Sequence, residues 1–146
     1  MTPEQLAIAV AQTMELTDHA VTDAGLQRVV TGVGVSQFDL QVQERHSNGH
    51  RICHGGHIFL LADTAFAYAC NSYNEVAVAY QNSITYVAPG HLGERLSAVA
   101  TEVTRSKRSG IYDVLVTNAS GQTIALFRGH CRMLGRPVVM DTMNGD

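Results

Sequence analysis

Apolar residues change their spacing along this chain, and each change predicts an element. Near the start, Leu6, Val10, Met14 and Leu16 follow a roughly helical period. Thr2 can cap, Pro3 suits the first helical position and Gln5 completes a capping box. A short amphipathic helix is predicted to about Leu16, followed by a loop from Thr17 to Ala24. A period of two then takes over. Gln27 to Val35 is rich in valine, Gly32 and Gly34 suggest a turn, and Phe38, Leu40 and Val42 alternate with Gln37, Asp39, Gln41 and Gln43. Glu44 to His54 is a polar loop. From Gly56 to about Asn74 the apolar residues lie on all sides, as in a long helix buried around most of its surface. Strand patterns follow at Val76 to Val87, Leu96 to Thr104, Ile111 to Val116 and Thr123 to Met133.

The order is therefore helix, two strands, one long helix and four antiparallel strands. One buried helix followed by a meander implies an α+β layout, with a sheet wrapped around the helix. Residues 1–135 form one domain on this reading, and 136–146 form a loose C-terminal tail. Such a sheet leaves an edge and a face to cover, and self-association covers both.

Composition narrows the partners. The chain has 146 residues, 45% hydrophobic and 16% charged, which is globular rather than disordered. A net charge of −3 argues against nucleic acid as a partner. Met1-Thr2-Pro3-Glu4-Gln5 lacks the basic start of a signal peptide, and the longest apolar stretch is interrupted by Asp63, so no membrane span is expected. Cys53, Cys70 and Cys131 have no framework spacing, which fits a reduced cytoplasmic setting.

Asp63 concentrates the chemistry. It is the only formally charged side chain between Gly55 and Asn74, with Ile58-Phe59-Leu60-Leu61-Ala62 before it and Ala65-Phe66-Ala67-Tyr68-Ala69 after it. A carboxylate in such surroundings must be paired, neutralised or used. Just upstream lie Asn48-Gly49-His50 and Cys53-His54-Gly55-Gly56. Backbone N–H groups at a helix start suit the negative charge that grows on an attacked carbonyl, and glycine lets a substrate approach them closely. A carboxylate can attack that carbonyl or draw a proton from water.

The run Asn48-Gly49-His50, His54-Gly55-Gly56 and Leu61-Ala62-Asp63-Thr64-Ala65-Phe66-Ala67-Tyr68-Ala69 resembles the hotdog-fold acyl-CoA thioesterases of the phenylacetic-acid-degradation (PaaI-like) type. Pro89-Gly90-x-x-Gly93 and Phe127-Arg128-Gly129 match as well, and the resemblance spans roughly Ala24 to Gly135. It implies a hotdog fold and acyl-CoA hydrolysis, with aryl-acyl groups such as phenylacetyl favoured. Asp63 would be nucleophile or base, Gly55 would supply an N–H to the thioester carbonyl, and Asn48 would position nucleophile or water. His54 would orient the loop or the thioester. No metal and no cofactor beyond the substrate's own CoA is implied.

Spacing adds a constraint from the residues themselves. Asp63 lies eight positions after Gly55, a helical rise of roughly 12 Å. One carbonyl cannot meet both, because reacting atoms must come within about 3.5 Å. If both act, they belong to different chains of a two-fold homodimer, and a homotetramer of such dimers is expected. For the phosphorylated end of CoA, Arg105, Lys107 and Arg108 form the densest basic cluster, with Ser109 and Gly110 beside them and Arg128 on a later strand. Ala88, before the Pro-Gly turn, stands where the family often has a basic residue.

Plainer readings stand beside these. Asn48-Gly49 suits an ordinary turn, and Arg105 to Arg108 suits a solvated one. His46, His50, Cys53, His54 and His57 invite zinc, but show no familiar ligand-pair spacing. Phe59, Phe66 and Tyr68 suit core packing. A non-catalytic acyl-CoA-binding module and an enoyl-CoA hydratase using an Asp–His pair are the rival functions.

Overall fold

The computed structural model describes residues 1–140. Helix α1 runs Pro3–Glu15, and its capping box is formed: the Thr2 hydroxyl accepts from the Gln5 N–H, and the Gln5 side chain accepts from the Thr2 N–H. Its buried face is Ala7, Val10 and Ala11, whereas Leu16 stands in solvent. The stretch from Thr17 to Ala24, expected as a loop, contains a second short helix, α2, over His19–Ala24. Six residues are too few to display a period. Only Val21 and Ala24 of α2 are buried, one turn apart.

Six strands form a single antiparallel sheet: β1 Gln27–Gly32, β2 Val35–Gln41, β3 Ala77–Tyr86, β4 Arg95–Arg105, β5 Ser109–Asn118 and β6 Thr123–Met133. Their spatial order is β1-β2-β4-β5-β6-β3. The expected four-strand meander therefore holds only for β4, β5 and β6. Strand β3 lies at the far edge, paired with β6. Alternating side chains tell which face of a strand is buried, not which strand lies beside it.

The long helix, α3, runs Gly55–Cys70 and packs on β2, β4 and β5. Small side chains allow the close approach. Ala62, Ala65 and Ala69 of the helix are fully buried, as are Ala98 and Ala100 of β4. Aromatic pairs frame this contact, with Phe38 edge-on to Tyr68 at 4.7 Å and Phe66 packed between Tyr112 and Phe127. Burying each such ring contributes about 1.5–3 kcal/mol. Gly129 of β6 makes room for one of them, because a Cβ there would stand 2.7 Å from the Phe66 ring. Asn71 closes the helix. Its side chain donates to the Ala67 and Ala77 carbonyls and accepts from the Ala77 N–H, tying the end of α3 to the start of β3.

The first part of the expected loose tail is tethered. The Arg136 carbonyl accepts from Val76, and the Asn74 side chain accepts from Val138 and Val139 and donates to the Val139 carbonyl. The remainder of that expectation, 141–146, lies outside the described residues.

Candidate active site

The N-terminus of α3 is built by a histidine. His54 is the N-cap, and its Nδ1 accepts from the Gly56 N–H at 2.9 Å. In that bond Nδ1 is the acceptor, which leaves Nε2 as the ring nitrogen that carries a proton. With Gly56 taken up, the Gly55 N–H has no hydrogen-bond partner among the described residues. It is the open donor at the positive end of α3.

Loop residues 47–53 fold over this end. The Asn48 Oδ1 accepts from the His50 N–H, and the Asn48 amide protons have no partner among the described residues. Ser47 bridges to Cys53 and Ile52 bridges to His91, while the Cys53 N–H donates to the Gly90 carbonyl at 2.6 Å. The loop is thus pinned to the Pro89-Gly90 turn. Asn48-Gly49 is an ordinary turn, as its dipeptide suggests, and it also faces a cavity. That cavity, of about 450 Å³, is lined by Asn48, Gly55, Ile58 and Tyr86, with Val87 to Pro89 at its side. Tyr86 covers the helix end: its hydroxyl donates to the Gly55 carbonyl at 2.9 Å, and a Cβ on Gly55 would meet its ring at 3.2 Å. Glycine is the residue that fits under that ring with its N–H uncovered.

Asp63 is absent from that cavity. It is partly buried further along α3, where its Oδ1 accepts from the Asn82 amide of β3 at 3.1 Å. Burial pushes its carboxyl above the usual aspartate range; the Asn82 hydrogen bond pulls it down, and the Asp18 charge pushes it up. Thr64 does not assist, since its hydroxyl donates to the Leu60 carbonyl. Asn82 was not singled out in the sequence. Its parity places it on the wrong face until a bulge is recognised: Ala79 pairs with Cys131 and Gln81 with His130, so Tyr80 is an extra residue in β3.

The basic cluster is divided. Arg105 pairs with Glu75 at 3.4 Å and lies over the Tyr73 ring at 3.9 Å, and Arg128 holds Asp113 through two hydrogen bonds. Ser109 and Gly110 belong to β5 rather than to a turn. Gly110 is buried in the β4–β5 ladder, so its backbone offers no open cradle. Lys107 and Arg108 are exposed, form no ion pair among the described residues, and line a separate polar cavity of about 510 Å³ with Glu75 and Met133 to Gly135. Within one chain this cluster does not line the Gly55 cavity.

The histidines have backbone work. His46 is buried, with Nδ1 accepting from Gln43 and Nε2 bonded to the Ala24 carbonyl. His57 packs edge-on to His46, and its pKa is lowered by burial and by the charges of His46, His54 and Arg45. No group of three or more His, Cys, Asp or Glu side chains converges among the described residues. Burial raises the Cys53 thiol to about 11, which makes it a packing residue. Phe59 and Phe66 both pack on Phe127, and the Tyr68 hydroxyl donates to Asp18.

Comparison with known proteins places this arrangement. The thioesterase superfamily model matches residues 50–125. The chain is 38% identical over 125 residues to the acyl-coenzyme A thioesterase PaaI of Escherichia coli, covering 86% of this chain and 89% of that one. The solved structure of E. coli PaaI superposes with a TM-score of 0.91 at 36% identity, over 93% of this chain and 99% of that one. The TT0310 protein of Thermus thermophilus superposes at 0.77 with 35% identity, over 80% and 98% of the two chains. The smu.793 protein of Streptococcus mutans, solved with acetyl CoA bound, superposes at 0.74 with 27% identity, over 77% and 91%. With the helix wrapped by its sheet and this match in sequence and shape, the chain belongs to the thioesterase superfamily and has the hotdog fold.

Proposed function

We propose that this protein hydrolyses acyl-CoA thioesters to free CoA and a carboxylic acid, with aryl-acyl groups such as phenylacetyl as preferred substrates in the breakdown of aromatic acids. The observation that carries the reading is the open Gly55 N–H, which shares a cavity with the Asn48 amide at the positive end of α3. The thioester carbonyl oxygen would accept from Gly55 as charge develops on it. Asp63 would attack the carbonyl carbon or take a proton from the water that does, and the CoA thiolate leaves. Asn48 would hold the nucleophile or the water. His54 acts through the cap that keeps Gly55 in place. The similarity to E. coli PaaI supports the substrate class. The use of His54 Nδ1 in the cap weighs against an Asp–His hydratase pair.

Asp63 and Gly55 serve one carbonyl only if they come from two subunits, so the reading includes an obligate homodimer. The edge strand β3 supports it, with Val78 and Tyr80 exposed by 45% and 53%. The outer sheet face, an apolar groove with Val99, Leu115 and Leu126, supports pairing of dimers into a tetramer. Lys107 and Arg108 are the cations of the cluster left for the CoA phosphates, while Arg105, Ser109, Gly110 and Arg128 shape the surface beside them. The reaction draws on no cofactor beyond the CoA of the substrate. The three unpaired cysteines support a cytoplasmic setting, and no helix among the described residues is long and apolar enough to cross a membrane.

Thiol release from phenylacetyl-CoA tests the proposal, within a panel of short-chain and long-chain acyl-CoA substrates. Asp63→Asn and Asp63→Ala should each lower kcat by roughly a hundredfold to ten-thousandfold while the protein stays folded. Wild-type turnover by Asp63→Asn would overturn the role of Asp63. Loss of enoyl absorbance without thiol release would mark a hydratase instead.

A further inference from the structure

Strand β3 carries an irregularity that the reaction outlined above leaves unexplained. Up to Ala79 its odd-numbered residues share the sheet face of the buried Met133 and Cys131 of β6, with Ala77 buried and Ala79 exposed. Tyr80 is the extra residue, and beyond it the even-numbered residues face inward: Asn82 opposite Gly129, Ile84 opposite Phe127 and Tyr86 opposite Ala125. Gln81, Ser83 and Thr85 turn outward to solvent. The bulge thus aims a carboxamide at the one acid of α3.

We propose that Asn82 is a positioning residue for Asp63, holding one carboxylate oxygen so that the other faces the reacting carbonyl or water. This inference rests on the role of Asp63 proposed above. Its geometry is specific. Asn82 Nδ2 donates to Asp63 Oδ1 at 3.1 Å, whereas Asn82 Oδ1 is shielded from solvent and has no partner among the described residues. Nothing else therefore fixes the orientation of the amide. With Asp63 ionised, Nδ2–H donates to it. With Asp63 protonated after drawing a proton from water, a turned amide offers Oδ1 to the new O–H. One side chain can serve the acid in both of its states, which a hydroxyl-free apolar residue at the same place cannot.

The charged and titratable groups around Asp63 are few. Asp18, between α1 and α2, pushes its pKa up. Cys70 of α3 feels the Asp63 charge in turn. Asn82 of β3 is the group that opposes burial. Removing it leaves burial and Asp18 to act alone, so the Asp63 pKa rises further.

The experiment is the pH profile of kcat/KM for phenylacetyl-CoA in the wild type, Asn82→Ala, the near-isosteric Asn82→Asp and Asp63→Asn. Asn82→Ala should lower kcat roughly tenfold to a hundredfold, the range for losing a hydrogen bond to a charged group, with KM changed less than about twofold. Its acid limb should move upward by about one pH unit. Asn82→Asp puts a second carboxylate beside Asp63 and should move the limb further. A ¹³C titration of the Asp63 carboxyl should show the same order without reference to turnover. Asn82 profiles that superpose on the wild type, with Asp63→Asn inactive, overturn the positioning role alone. An active Asp63→Asn overturns the reading of Asp63 itself. If Asn82→Ala does not fold, the limb position and titration of Asn82→Asp decide.

Discussion

At the scale of the residue, Asp63 is held in a state that folding disfavours. Because folding raises its pKa above the usual 3.8, the folded protein binds the Asp63 proton more tightly than the unfolded chain does. The stability that comes from that proton is present below the usual value and is lost as pH rises through the raised one. At neutral pH the carboxylate is kept ionised at a cost. Asp63→Asn should therefore raise the melting temperature at pH 7 by a few degrees, and the gain should vanish below the usual aspartate pKa. Thermal unfolding followed across pH checks this. The unpartnered Asn82 Oδ1 can accept from one N–H of the introduced amide.

At the scale of the element, α3 depends on what lies at its two ends. His54 satisfies one of its first backbone donors and so fixes where the helix begins. His54→Ala should cost about 1 kcal/mol, as loss of an N-cap does, and His54→Asn should recover most of it. Chemical denaturation measures the difference, and an unchanged midpoint for His54→Ala would remove the cap from the account. The helix and its acid were legible in the sequence, because one charge inside an apolar run stands out whatever surrounds it. The strands were legible too, because alternation survives in Phe38, Leu40 and Val42 and in the buried alanines of β4. Helix α2 was not, since two buried positions make no period. Asn82 and Tyr86 were not, since a bulge shifts parity and the sequence around Tyr80 carries no glycine to mark it. The split of the basic cluster was equally hidden: only the fold brings Glu75 and Tyr73 to Arg105, or Asp113 to Arg128.

At the scale of the whole molecule, the proposed function makes the Gly55 cavity and Asp63 two half-sites. If each complete site draws one half from each subunit, two inactive variants can restore one another. Asp63→Asn and Gly55→Val would each be inactive alone. Mixed, unfolded and refolded in equal amounts, half the dimers are hybrids, and each hybrid carries one intact site, so about one quarter of wild-type activity should return. No recovery in a sample shown by mass to contain hybrids would place the whole reaction within a single chain.

The extra residue in β3 also bears on how such a pocket changes over generations. Deleting one codon at Tyr80 would return the strand to plain alternation. Gln81 would then follow Ala79 directly and still face outward, so Asn82, Ile84 and Tyr86 would keep their places opposite Gly129, Phe127 and Ala125 along the wall beneath α3. A lineage could gain or lose the bulge in one step and keep the same three lining side chains, changing only the local bend of the strand that carries them.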